Sequence, residues 1–215
     1  LDPQRPHLAE LRRTQTNGLI WQAPPGEFYS SLTGEHSGDW INRGRSPRRL
    51  AGVACTSVGT DQAMPYRRQE GSFDPRAAFI FEGIADEELI GNFGLQQQGA
   101  GGDETDRLDY ALGTSPHALL LATASGFSDV YLYIPEDVLY DRIYPTDPSS
   151  ESKVAKAHPH VRADMVFYEL PEGGAVFSTG SITWCGALSH NNYENNVSRI
   201  TGNVLRRFLD ATPIR

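Results

Sequence analysis

Cysteine is scarce in this sequence, and its two copies do not form a metal-binding or redox pair. Cys55 and Cys185 are the only cysteines among 215 residues, so there is no Cys-x-x-Cys motif. Such low cysteine use excludes a disulfide-rich secreted scaffold and is typical of proteins that keep their thiols reduced. We therefore expect both cysteines to be buried and reduced, and we expect a cytoplasmic protein.

Long apolar runs and an excess of basic residues are also missing. No stretch approaches the roughly 20 apolar residues that a membrane-spanning helix requires. The formal net charge is −8, which argues against a nucleic-acid surface because phosphate binding requires clustered Lys and Arg. The sequence therefore predicts neither a membrane nor a nucleic acid as a partner.

Glycine and proline are plentiful, with 21 and 14 copies, which favours turns and long connections over a helical bundle. Short apolar runs, several of them rich in Val, Ile, Phe or Tyr, predict buried strands, and most are continuous rather than alternating. Continuous runs suit a sheet covered on both faces, and hence an α/β domain. The predicted strands are Leu50 to Cys55, Ala77 to Phe81, Ala118 to Thr123, Val130 to Ile134, Met165 to Tyr168, and Ala175 to Phe177.

The stretch from Gly173 to Leu209 predicts the last strand, a polar turn and a closing helix. Apolar residues from Val197 to Leu209 follow the spacing of one helix face. Asn191 or Asn192 is the expected N-cap, and basic residues fall in the last turn, where they complement the helix dipole.

A short acidic segment, Asp103 to Asp109, follows a glycine-rich stretch that lacks the residues of a phosphate-binding loop. Two interpretations of this segment are open. Glu104 is a buried carboxylate that serves acid–base catalysis, or the whole segment is a solvated loop. The residues by themselves favour the solvated loop.

Three residues after the final predicted strand are candidates for a binding site, namely Ser181, Trp184 and His190. Ligands of open α/β sheets bind near strand ends, and His190 is the best-placed histidine of the chain. No Gly-x-Ser-x-Gly elbow, Ser-His-Asp set or cluster with metal-ligand spacing is present in the sequence. Ordinary packing and capping roles are the alternative for all three.

Several sequence blocks, in the same order, resemble the C-terminal region of the large (beta) subunit family of N,N-dimethylformamidase. The longest block runs from Gly173 to Gly186 and continues through Ser189 to Asn191 and Asn195 to Thr201. The supporting blocks are Gly26 to Tyr29 with Thr33 to Glu35, Asp74 to Gly83, and Glu104 to Arg107 with Leu112 to Thr114. The resemblance covers nearly the whole chain, from about Leu1 to Leu209.

The resemblance implies a larger iron-dependent amidohydrolase. Residues 1–215 would form a single C-terminal α/β domain, or part of one, in a longer polypeptide. Its fold would be class I glutamine-amidotransferase-like (flavodoxin-like), incomplete and with long loop insertions. The enzyme would cleave small N-substituted amides such as N,N-dimethylformamide to formate and an amine, with mononuclear iron held by two Tyr and one Glu upstream of this chain. The implied partners are the remainder of the large subunit, a small subunit, homo-oligomeric copies and the small amide substrate.

For individual residues, the resemblance implies that Glu104 faces the iron site as a general base or as the group that orients the attacking water. The solvated-loop interpretation of Glu104 is therefore reversed. Ser181, Trp184 and His190 would line the site as substrate-binding residues, and no residue of this chain is assigned as a metal ligand. Asp103, next to Glu104, departs from the family pattern and points to a different substrate or to a relative that no longer catalyses.

Two other functions stay open at this point. In the first, the chain is a non-catalytic domain for assembly or partner binding, which its long loops and aromatic residues would suit. A third hypothesis is an independent glutamine-amidotransferase-like enzyme, but neither Cys55 nor Cys185 lies in a nucleophile elbow.

Overall fold

The computed structural model describes residues 44–134 and 158–214. From Ser46 onward, the described residues belong to one compact unit. The sequence blocks Gly26 to Tyr29 and Thr33 to Glu35 lie outside the described residues. The prediction of one domain over 1–215 stays a prediction.

The described strands and helices alternate irregularly along the chain. The strands are β1 (Ala54–Met64), β2 (Arg67–Arg68), β3 (Gly101–Arg107), β4 (Leu119–Ala124), β5 (Leu132–Tyr133), β6 (Ala163–Glu169) and β7 (Ala175–Ser178). The α-helices are α1 (Arg48–Ala51), α2 (Thr183–Ala187) and α3 (Asn196–Leu209), and 3-10 helices span Glu70–Phe73, Pro75–Phe81 and His190–Tyr193.

These strands form two sheets. One has the strand order β3-β1-β5 and the other β2-β4-β6-β7. Every strand pair within the described ranges is antiparallel. The mixed α/β class is therefore confirmed. A flavodoxin-like domain is built on a parallel sheet, so the described strands do not support that finer prediction.

The main core lies between the four-stranded sheet and the helices that pack on it. Fully buried side chains of β4 and β6, such as Leu121 and Met165, meet Ile80 of the 3-10 helix and Ile200 of α3. Burying apolar side chains of this size stabilises the fold by about 1.5–3 kcal/mol each. This packing fixes the last helix against the sheet.

The C-terminal strand and helix confirm the sequence prediction, with the short helix α2 between them. The N-cap of α3, however, is Asn195, whose side chain accepts a hydrogen bond from the backbone N–H of Ser198 at 2.9 Å. Asn191 and Asn192 have φ values of 48° and 54° and form a left-handed turn before the helix. The predicted cap was therefore wrong, because asparagine suits both a cap and a left-handed turn.

Four of the predicted strands correspond to β4, β5, β6 and β7, but two apolar runs were assigned wrongly. The run from Leu50 to Cys55 contains the end of helix α1, a turn at Gly52 and the start of β1. The run from Ala77 to Phe81 lies in a 3-10 helix capped by Asp74. Short continuous apolar runs do not distinguish a strand from a buried helix. The Asp-Pro pair before Ala77 was a start signal for the helix.

Candidate functional site

Strand β3 carries the acidic segment, so the prediction of a loop there was wrong. It pairs antiparallel with β1 along its whole length, and Gly102 allows β1 to approach closely, since an added Cβ would lie 2.8 Å from the Cβ of Ala63. Asp, Glu and Gly are poor strand formers, but pairing in a sheet overrides that preference. Glu104 therefore sits on a hydrogen-bonded strand.

A β-bulge in β1 sets the register of the site. Cys55 lies opposite Asp106 and Ser57 lies opposite Thr105, so Thr56 is the extra residue. The buried Thr56 hydroxyl donates a hydrogen bond to the carbonyl of Thr105 at 3.0 Å, which holds the bulge in place. The bulge thus fixes which residue of β1 faces Asp106.

Two carboxylates and a thiol converge on one face of this strand pair. One ligand atom each of Cys55, Glu104 and Asp106 lies within 4.8 Å of the other two. Glu104 and Asp106 share a face because side chains two residues apart in a strand point the same way. The carboxylate that accompanies Glu104 is therefore Asp106, and not the adjacent Asp103 that the sequence singled out.

Burial and mutual repulsion perturb two members of this cluster. The pKa of Asp106 is raised to about 6, chiefly by burial and then by the charge of Glu104, while Arg48 acts in the opposite direction. The pKa of the Cys55 thiol is raised far above its ordinary value by burial, by the charges of Glu104 and Asp106, and by a hydrogen bond to Glu104. Cys55 therefore stays a neutral thiol beside two carboxylates.

Asp106 is held firmly by its backbone but only loosely by its side chain. Its N–H donates a hydrogen bond to the carbonyl of Gly180 at 2.9 Å, which joins β3 to the segment after β7. Its Oδ1 atom is buried and has no hydrogen-bond partner. A buried carboxylate oxygen without a donor costs stability.

Ser181 lies closest to this strand among the predicted substrate-binding residues. Its hydroxyl donates to the carbonyl of Gly102 at 2.9 Å and accepts from the N–H groups of Gly102 and Thr183 at 2.7 Å and 3.2 Å. One donor and two acceptor positions are all that a serine hydroxyl offers. The observed contacts therefore favour a structural link between β3 and α2, and a substrate-binding role stays a prediction.

The contacts of Trp184 and His190 are with aromatic and polar residues outside the cluster. Trp184 is buried in the core, donates to the Thr201 hydroxyl at 3.2 Å and packs edge-to-face on Tyr66. His190 is exposed and stacks on Phe93, with 4.1 Å between the ring centroids. His190 is not a member of the cluster of Cys55, Glu104 and Asp106, and the binding roles of both residues stay predictions.

Two buried charged residues near β3 were missed by the sequence reasoning. Asp164 of β6 is fully buried and accepts hydrogen bonds from Thr123 at 2.9 Å and from the backbone N–H of Leu108 at 3.0 Å. Arg48 of α1 is also fully buried and lowers the pKa of Asp106. An Asp inside the apolar run of β6 was the available signal for Asp164, and no sequence signal marked Arg48.

Four of the six described tyrosines do not fit the tyrosine ligands that the resemblance implies for iron. Burial raises the pKa of each of four phenols, which disfavours the phenolate that a metal needs. Each hydroxyl also donates to a backbone carbonyl: Tyr66 to Thr179, Tyr110 to Ala118, Tyr131 to Gln62 and Tyr168 to Leu50. We assign none of the four as an iron ligand.

Both cysteines are free, as expected. Cys185 is exposed on α2, so the prediction that it is buried was wrong, whereas Cys55 is half-buried.

Helices of the described ranges are all too short or too polar to cross a bilayer.

Comparison with known proteins gives consistent matches. Residues 1–195 match the family model described as N,N-dimethylformamidase beta subunit-like, C-terminal. The chain is 41% identical over 211 residues to the N,N-dimethylformamidase beta subunit of Paracoccus aminophilus and, with the same identity and length, to that of an Alcaligenes species. Each alignment covers 98% of this chain but 26% of the relative, so the chain spans about a quarter of their length. The chain therefore belongs to the N,N-dimethylformamidase beta subunit-like, C-terminal family.

Proposed function

We propose that this chain is the C-terminal part of an iron-dependent amidohydrolase that cleaves small N-substituted amides, such as N,N-dimethylformamide, to formate and an amine. The observation that carries the proposal is the position of Glu104 on a sheet-paired strand, in a cluster with Asp106 and Cys55. The two relatives are named as beta subunits of N,N-dimethylformamidase, which favours amide hydrolysis over other uses of such a cluster.

The structure suits Glu104 to acid–base work. The side chain is half-buried and its strand is paired with β1 on one edge and bridged to Ser181 on the other. A catalytic carboxylate gains from such a rigid support, since a misplaced group loses much of its effect. Glu104 therefore combines partial access to a substrate with a rigid backbone support.

In the proposed mechanism, a Glu104 carboxylate oxygen accepts a proton from a water molecule. At the same time, the oxygen of that water molecule bonds to the amide carbon. The proton then passes to the amide nitrogen as the C–N bond breaks, which releases the amine and formic acid, and the acid ionises to formate in water. Iron, when bound, would polarise the amide carbonyl as a Lewis acid. Its ligands remain a prediction for residues upstream of this chain.

The test is Glu104→Gln in the full-length protein with its subunit partners, assayed for N,N-dimethylformamide hydrolysis. Loss of the general base is expected to lower kcat about 10²- to 10⁴-fold. Asp103→Asn is the matched control, because it removes one negative charge from the neighbouring position, and asparagine tolerates the left-handed φ of 64° there. Equal activity of Glu104→Gln and the control would disprove the role of Glu104.

A non-catalytic role in assembly is the second candidate function. The outer face of α3 exposes Leu205 and Leu209, which retain 57% and 85% of their accessible surface, and Tyr193 before the helix retains 63%. Tyr193 and Leu205 line an open groove of about 930 Å³. Exposed apolar side chains of this kind favour contact with other protein. Full iron binding and activity in an enzyme whose Leu205 and Leu209 are both changed to Ser, with unchanged subunit assembly, would argue against this role.

The predicted partners are the remainder of the large subunit, the small subunit and homo-oligomeric copies. The cytoplasmic location and the glutamine-amidotransferase-like layered domain also stay predictions. The independent cysteine-dependent enzyme is disfavoured, because a thiol whose pKa is raised next to two carboxylates is a poor nucleophile.

A further inference from the structure

The edge strands of the two described sheets differ in how they are protected from pairing with other strands. These edge strands are β2, β3, β5 and β7. β2 has two residues, both arginine, and β5 also has two residues, and short or charged edges resist further pairing. The outer side of β3 is bridged to Ser181. β7 (Ala175–Ser178) has no charge, no proline and no register shift against β6, so its edge carries none of these protections.

Half of the backbone groups of β7 point away from β6. The N–H of Leu170 donates to the carbonyl of Gly174 at 2.7 Å, so Gly174 faces β6. Because hydrogen-bonded and non-hydrogen-bonded positions alternate along an antiparallel pair, the N–H and C=O groups of Ala175 and Phe177 point to the outer side. No hydrogen bond reaches these groups from the part of the chain that the structure describes. Four backbone groups are therefore available to one more strand.

Both faces of β7 are already covered, so the edge is its open side. Ala175 and Phe177 pack against the main core on one face. On the other face, the Ser178 hydroxyl donates to the Ala51 carbonyl of α1 at 2.6 Å. Backbone N–H and C=O groups are costly to bury without partners, and an unprotected apolar edge that stays exposed invites aggregation. Pairing with a further strand resolves both problems.

We infer that the outer edge of β7 receives an extended, apolar strand from a part of the same polypeptide that lies outside residues 1–215. This strand adds to the four-stranded sheet through backbone hydrogen bonds to Ala175 and Phe177. It is apolar because a strand that continues a sheet covered on both faces is itself buried on both faces. The inference rests on the proposed function in one respect, namely that the chain is part of a longer enzyme.

The small size of this edge favours a strand of the same polypeptide over a second molecule. An edge of four residues buries far less than the roughly 1,200–2,000 Å² of a stable protein–protein interface, and separate molecules also lose translational freedom when they associate. A tethered strand has only the cost of loop closure, which grows slowly with loop length. The two relatives have the necessary length, because the match covers 26% of each and leaves about three quarters of their sequence outside.

Hydrogen–deuterium exchange of the full-length wild-type protein, with its subunit partners, tests whether the edge is occupied. Fragmentation mass spectrometry reads the exchange at single residues. Val176 and Ser178 lie opposite Tyr168 and Val166 in the ladder with β6 and are the internal control. We expect the amides of Ala175 and Phe177 to be as protected as those two, with exchange slowed about 100-fold or more relative to the unfolded chain.

An alternating pattern would give the opposite result. Slow exchange at positions 176 and 178 with fast exchange at 175 and 177 would show that the edge is open, and would overturn the inference.

A photo-crosslink identifies the strand that occupies the edge. Gly174 is exposed beside β7, and an added Cβ there would meet Leu170 at 3.7 Å, an ordinary contact. Gly174→p-benzoylphenylalanine in the full-length protein is therefore expected to fold. We expect its crosslink to join a peptide from outside residues 1–215, in a product that keeps the mass of a single large subunit. The same substitution at Glu87, an exposed turn position, is the control and should not join that peptide.

Other crosslinking outcomes would overturn the proposed occupant. They are a crosslink to β7 of a second copy, a crosslink to the small subunit, or the absence of any crosslinked peptide.

Neither measurement depends on activity, so the inference and the proposed function can fail separately. Alternating protection in an enzyme that loses activity with Glu104→Gln would overturn only the inference. Uniform protection and the expected crosslink, in a protein whose hydrolysis is unaffected by Glu104→Gln, would overturn only the proposed function.

Discussion

Cys55 lies directly opposite Asp106 across the β1–β3 pair, and one ligand atom of each lies within 4.8 Å of the other and of Glu104. The bulge at Thr56 produces this alignment, because it shifts the register between Cys55 and Ser57 by one residue. A thiol and two carboxylates that share one face repel each other when ionised. The folded state therefore disfavours negative charge at this point.

Asp106→Asn is expected to stabilise the full-length protein above pH 6. The folded-state pKa of Asp106, about 6, exceeds its ordinary value of 3.8, so the stability linked to its protonated form is complete below about pH 4 and is lost as the pH rises through 6. The variant avoids that loss, which amounts to at most about 3 kcal/mol. Urea unfolding at pH 5 and pH 8 should show a stabilisation that is larger at pH 8. A stabilisation that shrinks as the pH rises would contradict the electrostatic interpretation.

The two cysteines should differ strongly in alkylation rate. Cys185 is exposed, whereas Cys55 is half-buried and its raised pKa keeps the thiol protonated. Because the thiolate is the nucleophile, iodoacetamide at pH 8 should modify Cys185 well before Cys55, as peptide mass spectrometry can follow. The urea-unfolded chain is the control, in which the two rates should converge. Similar rates in the native protein would show that Cys55 is not shielded.

Gly180→Ala should destabilise the domain by about 2–5 kcal/mol. Gly180 has a φ of +66°, and an added Cβ would lie 2.6 Å from the carbonyl oxygens of both Asp106 and Asp164. Neither carbonyl can move without disturbing β3 or β6. Gly202→Ala in α3 is the matched control, because its Cβ would meet only the flexible end of Arg206, at 3.3 Å.

That control substitution should stabilise the helix by about 0.5–1 kcal/mol, since alanine is the better helix former. Thermal unfolding of both variants tests the pair. Equal midpoints for Gly180→Ala and the wild type would show that the chain around Gly180 adjusts more easily than the close contacts suggest.

Asn195→Ala should cost about 1–2 kcal/mol, because the side chain caps α3. Asn195 also donates hydrogen bonds to the carbonyls of Leu188 and His190, at 3.0 Å and 2.7 Å. Asn195→Asp keeps the capping acceptor but loses those donors, so chemical unfolding of the two variants separates the contributions. Asn192→Gly, at a φ of 54°, should change little. A larger loss of stability from the substitution at Asn192 than from that at Asn195 would support Asn192 as the cap of α3.

The sequence alone was sufficient where local pattern decides structure. The spacing of Val197, Ile200 and Val204 predicted α3, and those three side chains are buried. The apolar runs of β4, β6 and β7 also predicted strands, because buried strands need apolar side chains whatever their neighbours are. The identification of Glu104 required the family resemblance, since an acidic segment after glycines reads equally well as a loop.

Only the tertiary structure decided which groups meet. Cys55 and Asp106 are 51 positions apart, and their pairing depends on a bulge that no local pattern encodes. Asp106 and Arg48 look like ordinary charged residues in the sequence, because burial is a property of the packed chain. The sequence determined the helix, most strands and the family. The contacts between distant strands raise the pKa values of Cys55 and Asp106, since desolvation and nearby charge arise only when those strands pair.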